Sequence, residues 1–331
     1  MTMMTIRTLA ASTCVAAGLL APLGAAAKEL KFANFSSPQH TITASVTDKL
    51  NEAAQAGTNG ELTVRSYDGG ELGSGPADQY VRVVQGVADI AWGLPGYTSS
   101  QFPKTMIVEM PDALPLDQPA YPALWRAYDD NLASEFPGVK PLALWGSEPN
   151  IFIMKDKQVR TPADLAGLKI RVAGASAGEA IEALGATPVQ MPMTQVYNGL
   201  QTGLIDGAIS GASTLIDFKL DEVADSYTLG ANLGRLVFFT VMSQSVYDGL
   251  SDEEKAAIDS VAGEELSKSA EEAWIATADQ ALDAARADDR NTVIDLSDEE
   301  IAAFTEALAP VTDAYVEAAG GADALAAMRG E

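Results

Sequence analysis

Runs of alternating apolar and polar residues recur along the chain, and stretches with helical spacing stand between them. "ELKFANF" (29–35) and "ELTVRSY" (61–67) read as strands around a helical pattern from about 41 to 56. A helix over 76–85 leads into a strand at 89–92, and an aromatic-rich helix over 119–135 leads into the apolar strand "KPLALWG". A second block follows. "NIFIMK" and "LKIRVA" are strand-like, "AGEAIEALG" is a helix closed by Gly185, "TPVQM" is a short strand, "TQVYNGLQTG" a helix and "LIDGAIS" a strand. This order predicts an α/β fold with substantial parallel sheet. Ser251 with Glu254 forms a capping-box signature at the start of an Ala/Glu-rich stretch without proline, which predicts one long helix to about Asp288; Ser297 with Glu300 signals another.

Two segments, "VVQGVADIAWG" (83–93) and "GLQTGLIDGAIS" (199–210), share the order helix, Gly, Asp, strand. Each is expected to end in a strand at an open sheet edge. Two related lobes would explain the likeness, and so would separate use of a common α/β turn. In "GLKIRVAG" an arginine sits late on a strand. A cation inside a sheet needs an anion, which at Arg171 is either an internal carboxylate or a ligand's, and the following "GASAG" would add backbone donors at a helix start.

Composition narrows the chemistry. Arg7 is the only charge before Lys28, an apolar run follows, and Ala25-Ala26-Ala27 suits a signal peptidase, so residues 1–27 read as a cleaved leader of an exported protein. The one cysteine, Cys14, would leave with it, removing disulfides, thiolate metal sites and a cysteine nucleophile from consideration. Lys and Arg number 21 against 46 Asp and Glu, a net charge of −25 that repels nucleic acid. Zinc ligands are lacking with one histidine, no phosphate-binding Gly-Lys-Ser/Thr loop occurs, and "GGELGSG" lacks dinucleotide spacing. "GASAG" fits the pattern of a serine nucleophile elbow, which raises a secreted serine hydrolase using Ser176 as an alternative. The only histidine, His40, precedes that serine instead of following it, and a tight turn with Ser176 capping the next helix explains the glycines better. Aromatics at strand ends, Trp92 and Trp145 foremost, suit the walls of a binding cleft.

"DLAGLKIRVAG", "LGATPVQMPMTQVYNGLQTGLIDGA" and "ADIAWGLPGYTSSQFPKTMIVEMP" together resemble the solute-binding receptors of TRAP transporters, the C4-dicarboxylate-receptor (DctP) type. The resemblance spans nearly the whole chain after the leader. It implies a receptor without cofactor or metal, not an enzyme: two α/β lobes closing on an organic acid, a long helix across both, and delivery to a sodium-coupled membrane permease. It puts the carboxylate-clamping arginine at Arg171. The expected lobes are 28–150 with about 237–277, and 151–236 with about 278–331, in a monomer.

Departures from the family pattern bear on the ligand. Ile151 stands where many members carry a second basic residue, Gln195 where a glutamate is common, and Ser210 near an asparagine's place. With Trp92, Trp145, Phe152 and Met193 these point to a monocarboxylate with an apolar or aromatic body. The candidate ligand-binding residues are Arg171; Phe35, Ser36, His40, Trp92, Trp145 and Tyr97 from the first lobe; Asn150 from the hinge; and Ser176, Met193, Ser210 and Phe238 counted to the second lobe.

Overall fold

The computed structural model describes residues 27–331, so the leader read over 1–27 lies outside them except for Ala27. The alternating segments build β1 (Lys28–Ala33), β2 (Leu62–Tyr67), β3 (Ile90–Gly93) and β4 (Val139–Pro149) of a first sheet. The chain then enters a second sheet through β5 (Ile151–Met154), β6 (Lys169–Val172), β7 (Thr187–Gln190), β8 (Gly207–Ser210) and β9 (Ser226–Leu229). It returns to the first sheet as β10 (Arg235–Ser243), and β11 (Thr292–Asp295) completes the second. The orders are β2-β1-β3-β10-β4 and β11-β9-β5-β8-β6-β7. Both sheets are mixed. β1, β2 and β3 run parallel and meet antiparallel β10, while β6, β7 and β8 run parallel and meet antiparallel β5.

The two sheets are built on one plan, which accounts for the repeated segments. β3 lies between a parallel strand and an antiparallel one, and so does β8. Gly86 and Gly203 both take φ +72°, the left-handed geometry that ends the preceding helix. Asp89 then bonds the backbone of Lys31 through its carboxylate and its N–H, as Asp206 does with Lys169. Neither strand is at an edge, contrary to the sequence expectation, because β10 and β5 cover them. Those covering strands carry no strong alternation: β10 is buried at every residue.

The chain passes between sheets at Pro149–Asn150 and again at Gly234–Arg235, where β4 and β10 pair antiparallel. Asn150 N–H donates to Gly234 C=O at 2.9 Å, tying the two crossings together. The third crossing is helical. The helix Glu264–Ala287 packs Leu266, Ala270 and Trp274 into the first lobe's core and Ala278, Ala281 and Ala285 into the second's. It does not begin at Ser251. A separate helix, Asp252–Asp259, has the Ser251–Glu254 capping box, and the chain turns at Gly263, whose φ is +88° and whose N–H bonds Leu142 of β4. That bond to the sheet takes the backbone out of helical geometry. The helix expected over 119–135 is likewise shorter, Tyr121–Ala127, continuing as wider and tighter turns to Glu135.

Glu271 of the long helix is buried and ties three elements together. It accepts from the N–H groups of Ala120 (2.6 Å), Tyr121 (2.9 Å) and Gly146 (3.2 Å) and faces Arg235 Nη1 at 3.5 Å. Glu271→Ala would leave a buried guanidinium and three amides unmatched, a loss of about 3–5 kcal/mol that urea denaturation should show.

Candidate ligand-binding site

Ile170 and Val172 of β6 face a core that includes Ile181, Phe304 and Leu308, so the alternation of the strand turns Arg171 to the opposite face. There it lies beside Ala208 of β8, two residues before Ser210. The guanidinium has no solvent exposure. Its Nε donates to the Met191 carbonyl at 2.9 Å, while Nη1 and Nη2 have no partner among the described residues. Ser176 and Ser210 also hold buried hydroxyls without partners.

Glu109 is the nearest internal anion acting on Arg171, and it does not form an ion pair with it. Glu109 is buried, accepts the Val237 N–H at 3.0 Å, and leaves Oε2 unpartnered. Desolvation outweighs both that hydrogen bond and the attraction of Arg171 and pushes its pKa up to about 8. At neutral pH it is an acid, not a counter-ion. Burial lowers the Arg171 pKa, with the Tyr97 hydroxyl and Glu109 acting in opposition.

Next to Tyr97 lies a small cavity of about 30 Å³. Its wall is aromatic: Phe35 stacks on Trp92 with centroids 4.3 Å apart, and Phe238 and Trp274 close round them at 6.1 and 6.0 Å from Trp92. Trp92 Nε1 donates to Asn34 Oδ1, which fixes the indole. Tyr97, Met193 and Ser210 line the part drawn from both lobes, and the Met193 N–H donates to the Tyr97 hydroxyl across the cleft at 3.0 Å.

Of the sequence candidates, Phe35, His40, Trp92, Tyr97, Met193, Ser210 and Phe238 line this cavity together. Phe238 does so from β10 in the first sheet, so its assignment to the second lobe is corrected. Arg171 is not among the residues that line the cavity; its guanidinium lies against the Tyr97 side chain and the Met191 carbonyl. Trp145 forms a layer behind the wall, stacked on Phe238 at 5.4 Å. Ser36 is buried nearby in the chain but is not part of the lining. Ser176 lies in the first turn of the helix Ala175–Ala183 and caps nothing, because Gly174 is the N-cap residue. Asn150 is not brought to the cavity at all. It faces the outer side of the hinge, its Nδ2 donating to the Leu233 carbonyl at 3.2 Å, because the strand crossing turns it away. Sequence reading missed Trp274, Asp217 and Phe218. Trp274 had a signal, being the only aromatic in its 24-residue helix.

His40 is buried, not a surface residue. Its Nδ1 accepts the Ile42 N–H at 3.0 Å, and desolvation lowers its pKa to about 3, so the ring is neutral with its proton on Nε2.

Residues 32–318 match the family of bacterial extracellular solute-binding proteins, family 7 (DctP). The chain belongs to this family. It is 28% identical to the ectoine-binding periplasmic protein TeaA of Halomonas elongata over 272 residues, 79% of this chain and 78% of that one. A TRAP solute-binding protein of Rhodoferax ferrireducens, crystallised with copurified benzoate, superposes with a TM-score of 0.85 at 28% identity, covering 91% of this chain and 96% of the other. A marine-metagenome TRAP solute-binding protein specific for aromatic acid ligands, seen with 3-hydroxybenzoate, superposes at 0.84 and 29% identity, covering 92% and 98%. As a TRAP solute-binding protein the chain is a receptor and not an enzyme, which disposes of the hydrolase reading of "GASAG". Receptors of this kind bind small organic ligands and work with membrane permease components.

The first glycine of "GASAG" has a geometric role in this TRAP receptor. A Cβ at Gly174 would collide with the Gly96 carbonyl of the other lobe. Gly174→Ala should therefore impede closure and weaken ligand binding by roughly 10- to 100-fold, the cost of overpacking a tight contact. Calorimetry measures the affinity, and ligand-induced compaction by small-angle scattering should be reduced. Glu109 gives a pH signature. With its folded pKa raised from 4.5 to about 8, its contribution to stability is full below pH 4.5 and is lost as pH rises through 8. Glu109→Gln should flatten the decline of melting temperature across that window.

Proposed function

We propose that this receptor captures an aromatic monocarboxylate, with Arg171 clamping the carboxylate and the Phe35–Trp92–Phe238–Trp274 wall holding the ring. One observation carries the reading: a fully buried guanidinium anchored by Nε, with both Nη groups unpartnered. A carboxylate matches that fork with two parallel charge-assisted bonds. The unpartnered Ser176 and Ser210 hydroxyls are further donors on the same lobe. Ile151 offers no second cation, and it is buried in the second lobe's core, so a second carboxylate would go unmatched. The benzoate and 3-hydroxybenzoate bound by the two structural neighbours are consistent with this class.

The remainder of the proposal follows from family membership. Residues 1–27 direct export and are removed, the receptor works as a monomer in the periplasm, and it hands its cargo to a sodium-coupled permease. The lobes that close are built on 28–150 with 237–277, and on 151–236 with 278–331, except that the end of the chain from Thr312 packs on the first lobe through Val316, Ala324 and Met328. Arg171, Ser176, Met193 and Ser210 act from one side, and Phe35, His40, Trp92, Tyr97 and Phe238 from the other.

Thermal-shift measurements with benzoate, succinate, glucuronate and ectoine test the class; stabilisation by benzoate alone is expected, and stabilisation only by a dicarboxylate or sugar acid would refute it. Arg171→Met should weaken benzoate binding at least about 100-fold, since two charge-assisted bonds are lost. The ligand-free melting temperature should not fall. A marked fall would reveal an internal ion pair instead.

A further inference from the structure

The cavity has a second polar element. Asp217 comes from the second lobe, in the short helix Thr214–Asp217 after β8, and lines the cavity beside Phe218. Its Oδ1 accepts the backbone N–H and the hydroxyl of Thr41 at 3.0 and 3.1 Å. Its Oδ2 is buried and has no partner. His40 Nε2 lies 3.6 Å from that oxygen, too far for a hydrogen bond. The Ile42 N–H occupies Nδ1, so Nε2 carries the ring proton. A donor and an acceptor thus stand side by side, without hydrogen-bond partners, in the wall of a largely aromatic cavity. The groups acting on Arg171 are Tyr97 and Glu109, whereas the groups around Asp217 are Thr41, His40 and Glu148, so the two polar elements are separate.

The chemistry of the pair is selective. A hydroxyl donates to Oδ2 and accepts from Nε2–H with the same oxygen. An ammonium group has no lone pair for Nε2–H, a carbonyl or ether has no proton for Oδ2, and a second carboxylate is repelled by Asp217. Sites built to hydrogen-bond a hydroxyl discriminate strongly against analogues that lack it, because their own buried groups are left unpaired. We propose that His40 and Asp217 form a specificity subsite for a ring hydroxyl, making the ligands of this receptor hydroxylated aromatic monocarboxylates. The proposal rests on the assignment of Arg171 as the carboxylate clamp. It is also a closed-state subsite, since His40 and Asp217 come from opposite lobes.

Calorimetric titration of the mature protein with 3- and 4-hydroxybenzoate, the near-isosteric 3- and 4-methylbenzoates, benzoate and 3-(aminomethyl)benzoate tests it. One hydroxybenzoate isomer should bind at least 10-fold more tightly than its methyl counterpart and than benzoate. In Asp217→Asn and in His40→Phe that hydroxyl-to-methyl ratio should fall towards one, whatever the absolute affinities. Equal binding of methyl and hydroxyl isosteres by the unmodified protein would overturn the subsite while leaving the Arg171 clamp standing, and this comparison needs no variant to fold. Preference for the aminomethyl compound would also overturn it, by showing a cation site. Failure of every aromatic acid to bind would remove the clamp and the subsite together. A ratio unchanged in both variants would place hydroxyl selection elsewhere.

Discussion

A guanidinium shut away from water with two of its three nitrogens unmatched cannot be a resting state of low energy. Arg171 is held by one bond to Met191 and loses solvation without gaining an anion. Glu109 does not relieve this, since it is itself desolvated and protonated at neutral pH. The closed arrangement is therefore complete only when something negative enters. Under the proposed function, binding and closure would be one equilibrium, with the ligand carboxylate supplying the interaction that distinguishes the closed lobes from the open ones.

The rest of the fold arranges for that equilibrium to be finely balanced. The lobes share a plan, each holding a central strand between a parallel and an antiparallel neighbour, with cleft residues at the strand ends. Paired β4 and β10 and the long helix join them, and Glu271 anchors that helix to the first lobe through Ala120, Tyr121, Gly146 and Arg235. Farther along, alanines take over in the second lobe.

Much of this was legible from the chain because it is written in local signals. Alternation marked β1, β2 and β6, the Ser251 and Ser297 capping boxes marked two helix starts, and the turn of Arg171 away from its apolar neighbours followed from period two alone. The parts that were not legible depend on distant partners. β10 has no alternation because both of its faces are buried, so its run of apolar residues says little about register or sheet. Gly263 breaks a helix only because the Leu142 carbonyl is there to bond it. Phe238 and Asn150 were misplaced for the same reason, since the position of each follows from the crossing between sheets. Asp217 gave no signal at all among 46 acidic residues; only its unpartnered oxygen beside His40 sets it apart.

Across the cleft the protein offers Thr41 to Asp217, Met193 to Tyr97, the Glu148 carboxylate to the Ser213 N–H, and the close approach of Gly174 to Gly96. Each net hydrogen bond contributes about 1 kcal/mol. Against that handful stands the burial of Arg171, Glu109, Glu148 and Asp217, whose raised carboxyl pKa values and lowered guanidinium pKa all record a desolvation penalty. Under the proposed function, a ligand carboxylate at Arg171 would relieve that penalty at the guanidinium, and a ring hydroxyl at Asp217 would relieve more of it. Apolar contact with the aromatic wall adds affinity for many rings. On the proposed reading, matching the buried charges would decide which ring closes the receptor.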